Sequence, residues 1–304
     1  MPSPTSEEQI VKLGKSNKRK YMMEKLSERI FLICALLSVV SLLLIVGFVF
    51  YKGSHPFVAE GYSFIDFLFG MDWVPSEDKF GVLPMIAASI FATLGALIIG
   101  VPIGLFTAIF LAEIAPKSAA RLISPAVQLL AGIPSILYGV FGLAIIVPFL
   151  QNNLGLAKGQ SLLAVILVLA IMMLPTVVTV AETAIRAVPR TYREGSLALG
   201  ASEVGTIFKV VVPAAKSGIM AAIVLGLGRA IGETMAVILV AGNSLVLPTS
   251  LTDSVRPLTT NIALEMGYAF GTHQDMLFAT GIVLFSFILL LNFVLAKIAS
   301  KGGN

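Results

Sequence analysis

Residues 82–112 read VLPMIAASIFATLGALIIGVPIGLFTAIFLA, an unbroken uncharged run closed by Glu113. A helix crosses the hydrocarbon core of a bilayer with about 20 apolar residues. The run is therefore a membrane span, and one too long to cross straight. Pro102, within GVPIG, marks the expected kink or tilt. Runs of the same kind occupy 30–51, 122–150 (with Pro134 and Pro148), 162–180 (with Pro175), 217–242 and 277–296. The expected fold class is an all-α integral membrane protein with six transmembrane helices.

Composition agrees. Of 304 residues, 57% are hydrophobic and 12% charged, and the mean hydropathy is +0.95. A soluble domain carries about 25% charged residues and could not hide this much apolar surface. The net charge of +4 is not gathered into one basic patch, which argues against nucleic acid. Cys34 is the only cysteine, and His55 and His273 are the only histidines, far apart in apparent loops. An intrachain disulfide and a histidine–cysteine metal site are excluded by count, and no cofactor or metal is expected.

The basic residues alternate from loop to loop. Sixteen Lys and Arg lie in 1–29, 113–121, 181–216 and 297–301, four in the intervening loops, and Arg229 lies within a span. Positive residues stay on the cytoplasmic side. The expected layout is a cytoplasmic segment 1–29 without a cleavable signal, a first helix 30–51, an extracytoplasmic loop 52–81, and a five-helix core 82–299. That core includes a cytoplasmic loop, 186–216, and both termini are cytoplasmic in the inner or plasma membrane of a prokaryote. Trp73, Tyr62 and Phe64 in the first outer loop are expected to form an interfacial belt or a docking surface.

The chain holds no nucleotide site. Gly14-Lys15-Ser16 resembles the end of a phosphate-binding loop, but Gln9 stands where its first glycine belongs. Gly226-Leu227-Gly228 opens like a dinucleotide fingerprint, but Ile231 replaces the third glycine. If the protein pumps, a partner supplies the energy.

In the 186–216 loop, Pro189 suits a helix first turn, Gly200 a helix end, and Ser202 the cap of a second helix with Val204, Ile207, Phe208 and Val211. Glu194-Gly195-Ser196, Gly200 and Val210-Val211-Val212-Pro213 fit the spacing E-A-A, three residues, G, nine residues, I-x-L-P. This resembles the EAA loop of ABC importer permeases, whose short coupling helix docks on an ATP-binding subunit. Gly195 and Ser196 replace two alanines, and valines replace the isoleucine and leucine. The alternative is an amphipathic linker lying on the membrane.

Arg229 and Glu233 lie in the fifth span. A charge at a helix centre costs about 2.5–3.5 kcal/mol on insertion scales and normally faces a cavity or partner. The i, i+4 spacing places the two on one helical face, with Gly226, Gly228 and Gly232 leaving room for close packing or a ligand. They form either a structural ion pair or an anion passage, and a guanidinium fork matches phosphate oxygens. Glu233 then either orients Arg229 or accepts the proton of hydrogen phosphate, a bond that sulfate cannot offer.

The segment GLGRAIGETMAV (226–237) resembles phosphate-specific (Pst) permeases of the PstC type. AGIPSILYGVFGL (131–143) and PLTTNIALEM (257–266) resemble further stretches of the same family. The likeness covers most of the chain from about residue 82. It implies a type I ABC importer permease (MetI-like) core and a non-enzymatic role as a phosphate permease subunit. Arg229, Glu233 and Thr234 would lie on the substrate pathway, and Glu194, Gly195, Ser196, Gly200 and Pro213 would couple to the ATPase. The implied partners are a sister permease (PstA-like), a dimer of ATP-binding subunits (PstB-like) and a phosphate-binding protein (PstS-like). The alternatives are a permease for another oxyanion, such as molybdate or sulfate, and a membrane regulator that uses the coupling loop.

Overall fold

The structure is a computed structural model that describes residues 6–156 and 158–301, with side chains from 20 to 295 and at Lys297. The first five positions of the 1–29 segment lie outside the described residues. So do the side chains of Lys12, Lys15, Lys18, Arg19 and Lys301, which enter the charge count. The chain divides into two units, 1–52 and 53–304.

The first unit is the greater part of α1 (Ser6–Ala59), one helix with no break at residue 29 or 51. Over 30–51 no charge interrupts it and apolar residues occupy its whole circumference, as suits a helix surrounded by lipid. Its candidate membrane segment, Lys20–Ala59, has 40 residues, about 60 Å at the helical rise and twice a bilayer core.

The second unit is built around α3 (Leu83–Ile109) and α7 (Leu162–Arg186). Ala88, Ala92, Ala96, Gly100, Gly104 and Ala108 recur every fourth residue on α3, and all are buried. Such a stripe of small residues lets helices approach closely where no hydrophobic effect drives them together. A Cβ at Gly100 would stand 2.5 Å from Met173 Sδ, and one at Gly104 2.8 Å from Val177 Cγ1. α3 runs through Pro102 and ends in a π-helical turn at Phe110–Ile114.

The third and fifth expected spans are not single helices. α4 (Lys117–Gly132) stops where Ile133 turns extended before Pro134, and has no buried residue. A new helix begins as α5 (Ser135–Phe141) and continues through a π turn (Gly142–Ile146) into α6 (Val147–Leu154). Only this 20-residue portion is long and apolar enough to cross. The residue before a proline is pushed out of the helical region, which explains the break.

Beyond α7 come α8 (Arg190–Ala198), α9 (Glu203–Thr206), a π turn (Ile207–Val211) and α10 (Val212–Ala214). The stretch Glu203–Ala214 meets α11 (Lys216–Gly232) at a bend of 70°. α11 ends at Gly232, and α12 (Met235–Val240) follows. Then come α13 (Leu258–Glu265) and α14 (Thr272–Lys301). Among the described residues five helices can cross singly, or six when the bent pair is counted as one.

The segment between α1 and α3 folds as α2 (Phe64–Phe69) and a two-residue antiparallel ribbon, β1 (Trp73–Val74) with β2 (Lys79–Phe80). Phe67, Trp73, Phe80 and Val82 form a core with Leu258, Met276 and Leu277. Trp73 is 2% exposed, so it is a core residue and not part of an interfacial belt, whereas Phe64 is 50% exposed.

Candidate functional site

The break between α11 and α12 gathers the charged residues of the fifth span. α11 packs on α7 through Gly226, where a Cβ would lie 2.7 Å from Val177 Cγ2. Gly228 and Gly232 lie on the opposite, open face, where an added Cβ would meet no neighbouring element within 4 Å among the described residues. Arg229 stands half-buried in the last turn, 13 residues beyond Lys216 and so about 20 Å along the helix. Its positive charge suits the carbonyl end of a helix. Among the described residues it makes no ion pair and no hydrogen bond.

Glu233 departs from the expectation of a shared face. It is extended (ψ 127°), not helical, so counting i, i+4 across it fails. Its Oε1 accepts from the Ala236 N–H at 3.1 Å, a cap on the first turn of α12. Its backbone carbonyl, released by the break, accepts from Thr259 Oγ1 at 3.2 Å. Neither oxygen pairs with Arg229. Thr234 Oγ1 turns back to the Gly232 carbonyl at 3.3 Å. The second break lies alongside: a Cβ at Gly139 of α5 would stand 2.7 Å from Ala236 Cα. Tyr138, on the same short helix, donates to the Leu130 carbonyl at 2.6 Å and so links α5 back to α4.

The loop after α7 folds as its capping residues imply. Pro189 precedes α8, Gly200 holds φ +86° at its end, and Ser202 Oγ accepts from the Gly205 N–H at 3.1 Å. Ile207 and Val211 are buried, whereas Val204 and Phe208 face outward. Glu194, Gly195 and Pro213 are exposed, and Ser196 Oγ lies 2.9 Å from Thr206 Oγ1. Arg193 fixes the arm. Its Nε donates to Glu113 Oε2 at 2.9 Å, its Nη2 to Glu113 Oε1, and its Nη1 to the Val188 carbonyl at 2.7 Å. The Glu113 bonds hold the guanidinium proton more tightly than usual. α8 is thereby tied to the end of α3. The spacing pointed to neither Arg193 nor Glu113, whose partner is 80 residues away.

A second polar cluster carries no sequence signature. Glu265, 6% exposed, accepts from Trp73 Nε1 (2.8 Å) and Arg256 Nη1 (2.7 Å), and its Oε2 lies 2.9 Å from His273 Nε2. Arg256 also donates to the Asn243 carbonyl at 3.1 Å. The histidines are helical and not in loops, His273 in the first turn of α14 and His55 near the end of α1.

Interrupted helices within a bundle long and apolar enough to cross a membrane, joined to a two-helix arm, fit a membrane permease. Residues 100–301 match the binding-protein-dependent transport system inner membrane component family, and the chain belongs to that family. It is 40% identical over 294 residues to the probable ABC transporter permease protein YqgH of Bacillus subtilis, covering 94% of this chain and 95% of that one. It is 37% identical over 248 residues to the phosphate transport system permease protein PstC of Pasteurella multocida, covering 75% and 77%. In fold it is similar to a bacterial ABC transporter involved in the import of alginate, with a TM-score of 0.64 at 15% identity over 96% of this chain and all of that one.

Proposed function

We propose that this chain is the transmembrane permease subunit of an ATP-driven importer of inorganic phosphate, with Arg229 as the anion contact. The observation that carries the reading is a half-buried guanidinium beside the open Gly228–Gly232 face that pairs with no carboxylate among the described residues. An unpaired charge at that depth is costly unless it faces water, a ligand or a partner, and a planar fork of donors suits a tetrahedral oxyanion. The PstC relatives, named for phosphate transport, favour phosphate over molybdate or sulfate.

In this reading the open face of α11 meets a sister permease (PstA-like), and the passage runs between the two. Glu233 helps to hold the break open by capping α12. Its Oε2 accepts no bond from the described residues and can accept the proton of hydrogen phosphate. The arm built from Glu194, Gly195, Ser196, Gly200 and Pro213 docks on an ATP-binding subunit (PstB-like), present as a dimer. Arg193–Glu113 passes its motion into α3, since a braced helix transmits a rigid-body displacement. A phosphate-binding protein (PstS-like) delivers substrate to the outer face, and both termini are cytoplasmic. The core comprises 82–299. The test is ATP-dependent phosphate uptake by vesicles containing the assembled complex with Arg229→Ala. Uptake at the unaltered rate by a correctly assembled variant would overturn the assignment.

A further inference from the structure

His55, Glu60 and Asp275 take no part in the proposed transport route, yet the fold converges them on one point. His55 lies near the end of α1, Glu60 directly follows that helix, and Asp275 occupies the first turn of α14. His55 Nδ1 is 3.3 Å from Glu60 Oε1 and 3.2 Å from Asp275 Oδ2, and one ligand atom from each of the three lies within 4.8 Å of the others. The Asp275 side chain is 8% exposed and forms the floor, while Glu60 at 29% and His55 at 45% form an open rim.

An imidazole nitrogen carries either one hydrogen or one lone pair, so Nδ1 cannot satisfy both carboxylates at full strength. A divalent cation held by all three groups removes that conflict. The two separations from Nδ1 fit one: ligands at about 2.0–2.1 Å around tetrahedral zinc stand about 3.3 Å apart. Thr272 Oγ1 donates to Glu60 Oε2 at 2.8 Å, the kind of outer bond that turns a carboxylate and leaves its other oxygen for a metal. Calcium prefers six to eight oxygens, whereas one imidazole with two carboxylates suits zinc or a neighbouring transition metal.

We propose that His55, Glu60 and Asp275 form a divalent transition-metal site with one position open to water, pinning residues 53–60 to the start of α14. The full chain, in its complex in lipid nanodiscs, is stripped with chelator and titrated with Zn²⁺ by calorimetry. Thermal unfolding is followed in parallel. The expected result is one Zn²⁺ bound at this site, a raised unfolding midpoint, and the visible absorption of tetrahedral Co²⁺ on cobalt substitution. His55→Gln, at a rim position, and Asp275→Asn each weaken binding by about tenfold or more and abolish the rise in midpoint. Unchanged affinity in folded His55→Gln overturns the site. So does a wild-type midpoint that follows pH but ignores Zn²⁺, which would mark a bridging protonated imidazole. None of these readouts measures transport, so the result is independent of the phosphate assignment.

Discussion

Glu233 Oε1 accepts the Ala236 N–H at 3.1 Å and makes no ion pair with Arg229. Each charge serves a helix terminus, Arg229 the carbonyl end of α11 and Glu233 the amide end of α12. The two residues can therefore be separated by mutation.

Arg229→Ala is expected to lower phosphate uptake by about a hundredfold, since two charge-assisted hydrogen bonds of about 1.5 kcal/mol each are lost. Arg229→Lys should retain part of the rate, because it keeps the charge but loses the fork. Uptake of radiolabelled phosphate by reconstituted complex measures both.

Glu233→Gln keeps a side-chain oxygen for the Ala236 amide and should unfold at nearly the wild-type temperature. Glu233→Ala removes the cap and costs about 1 kcal/mol. Sulfate competition in Glu233→Gln examines the second proposed role. Rejection of sulfate as strict as in the wild type confines Glu233 to capping.

Arg193→Ala cuts the bonds that join α8 to Glu113. The complex should still assemble, while ATP hydrolysis no longer rises when the loaded binding protein is added. ATPase rates with and without that protein decide the matter; retained stimulation rules out the brace.

Arg256→Met removes the guanidinium from the buried carboxylate of Glu265 and leaves it with Trp73 and His273. Breaking one side of such a pair costs about 3 kcal/mol. Glu265→Gln should cost less, because its amide still offers an acceptor to Trp73 or Arg256. Thermal unfolding in detergent ranks the two.

Asp253 Oδ2 accepts from Thr249 N, Thr249 Oγ1 and Ser250 N, and these bonds hold its carboxyl below the ordinary value. A lowered folded value stabilises the loop above the unfolded value, and the contribution is lost as pH falls through the folded one. The Thr249 and Ser250 amides should therefore be protected from hydrogen exchange at neutral pH. They should lose protection below the usual carboxylate range, and Asp253→Asn should flatten that dependence.

What could be read from the residues follows from what lipid demands. The uncharged run at 82–112 admits one interpretation, since polar backbone must be satisfied within a helix in hydrocarbon. The caps at Gly200 and Ser202 were equally legible, because capping is local. The breaks at Ile133 and Glu233 were not: apolar residues continue on both sides, and glycine or proline in a membrane helix is compatible with continuity. Counting four residues from Arg229 to Glu233 assumed a helix that stops one residue short. The Glu265 cluster joins Trp73 to a partner 192 residues away, a separation that periodicity cannot express.

The meeting of Gly139 with Ala236 sets the two interruptions side by side. Carbonyls freed at such places cost several kcal/mol each when acyl chains surround them, and three hydroxyls answer them: Thr259 the one on Glu233, Thr234 the one on Gly232 and Tyr138 the one on Leu130. The chain thus carries its own hydroxyl donors for both interruptions, so bends that would be prohibitive in bare hydrocarbon are provisioned from within.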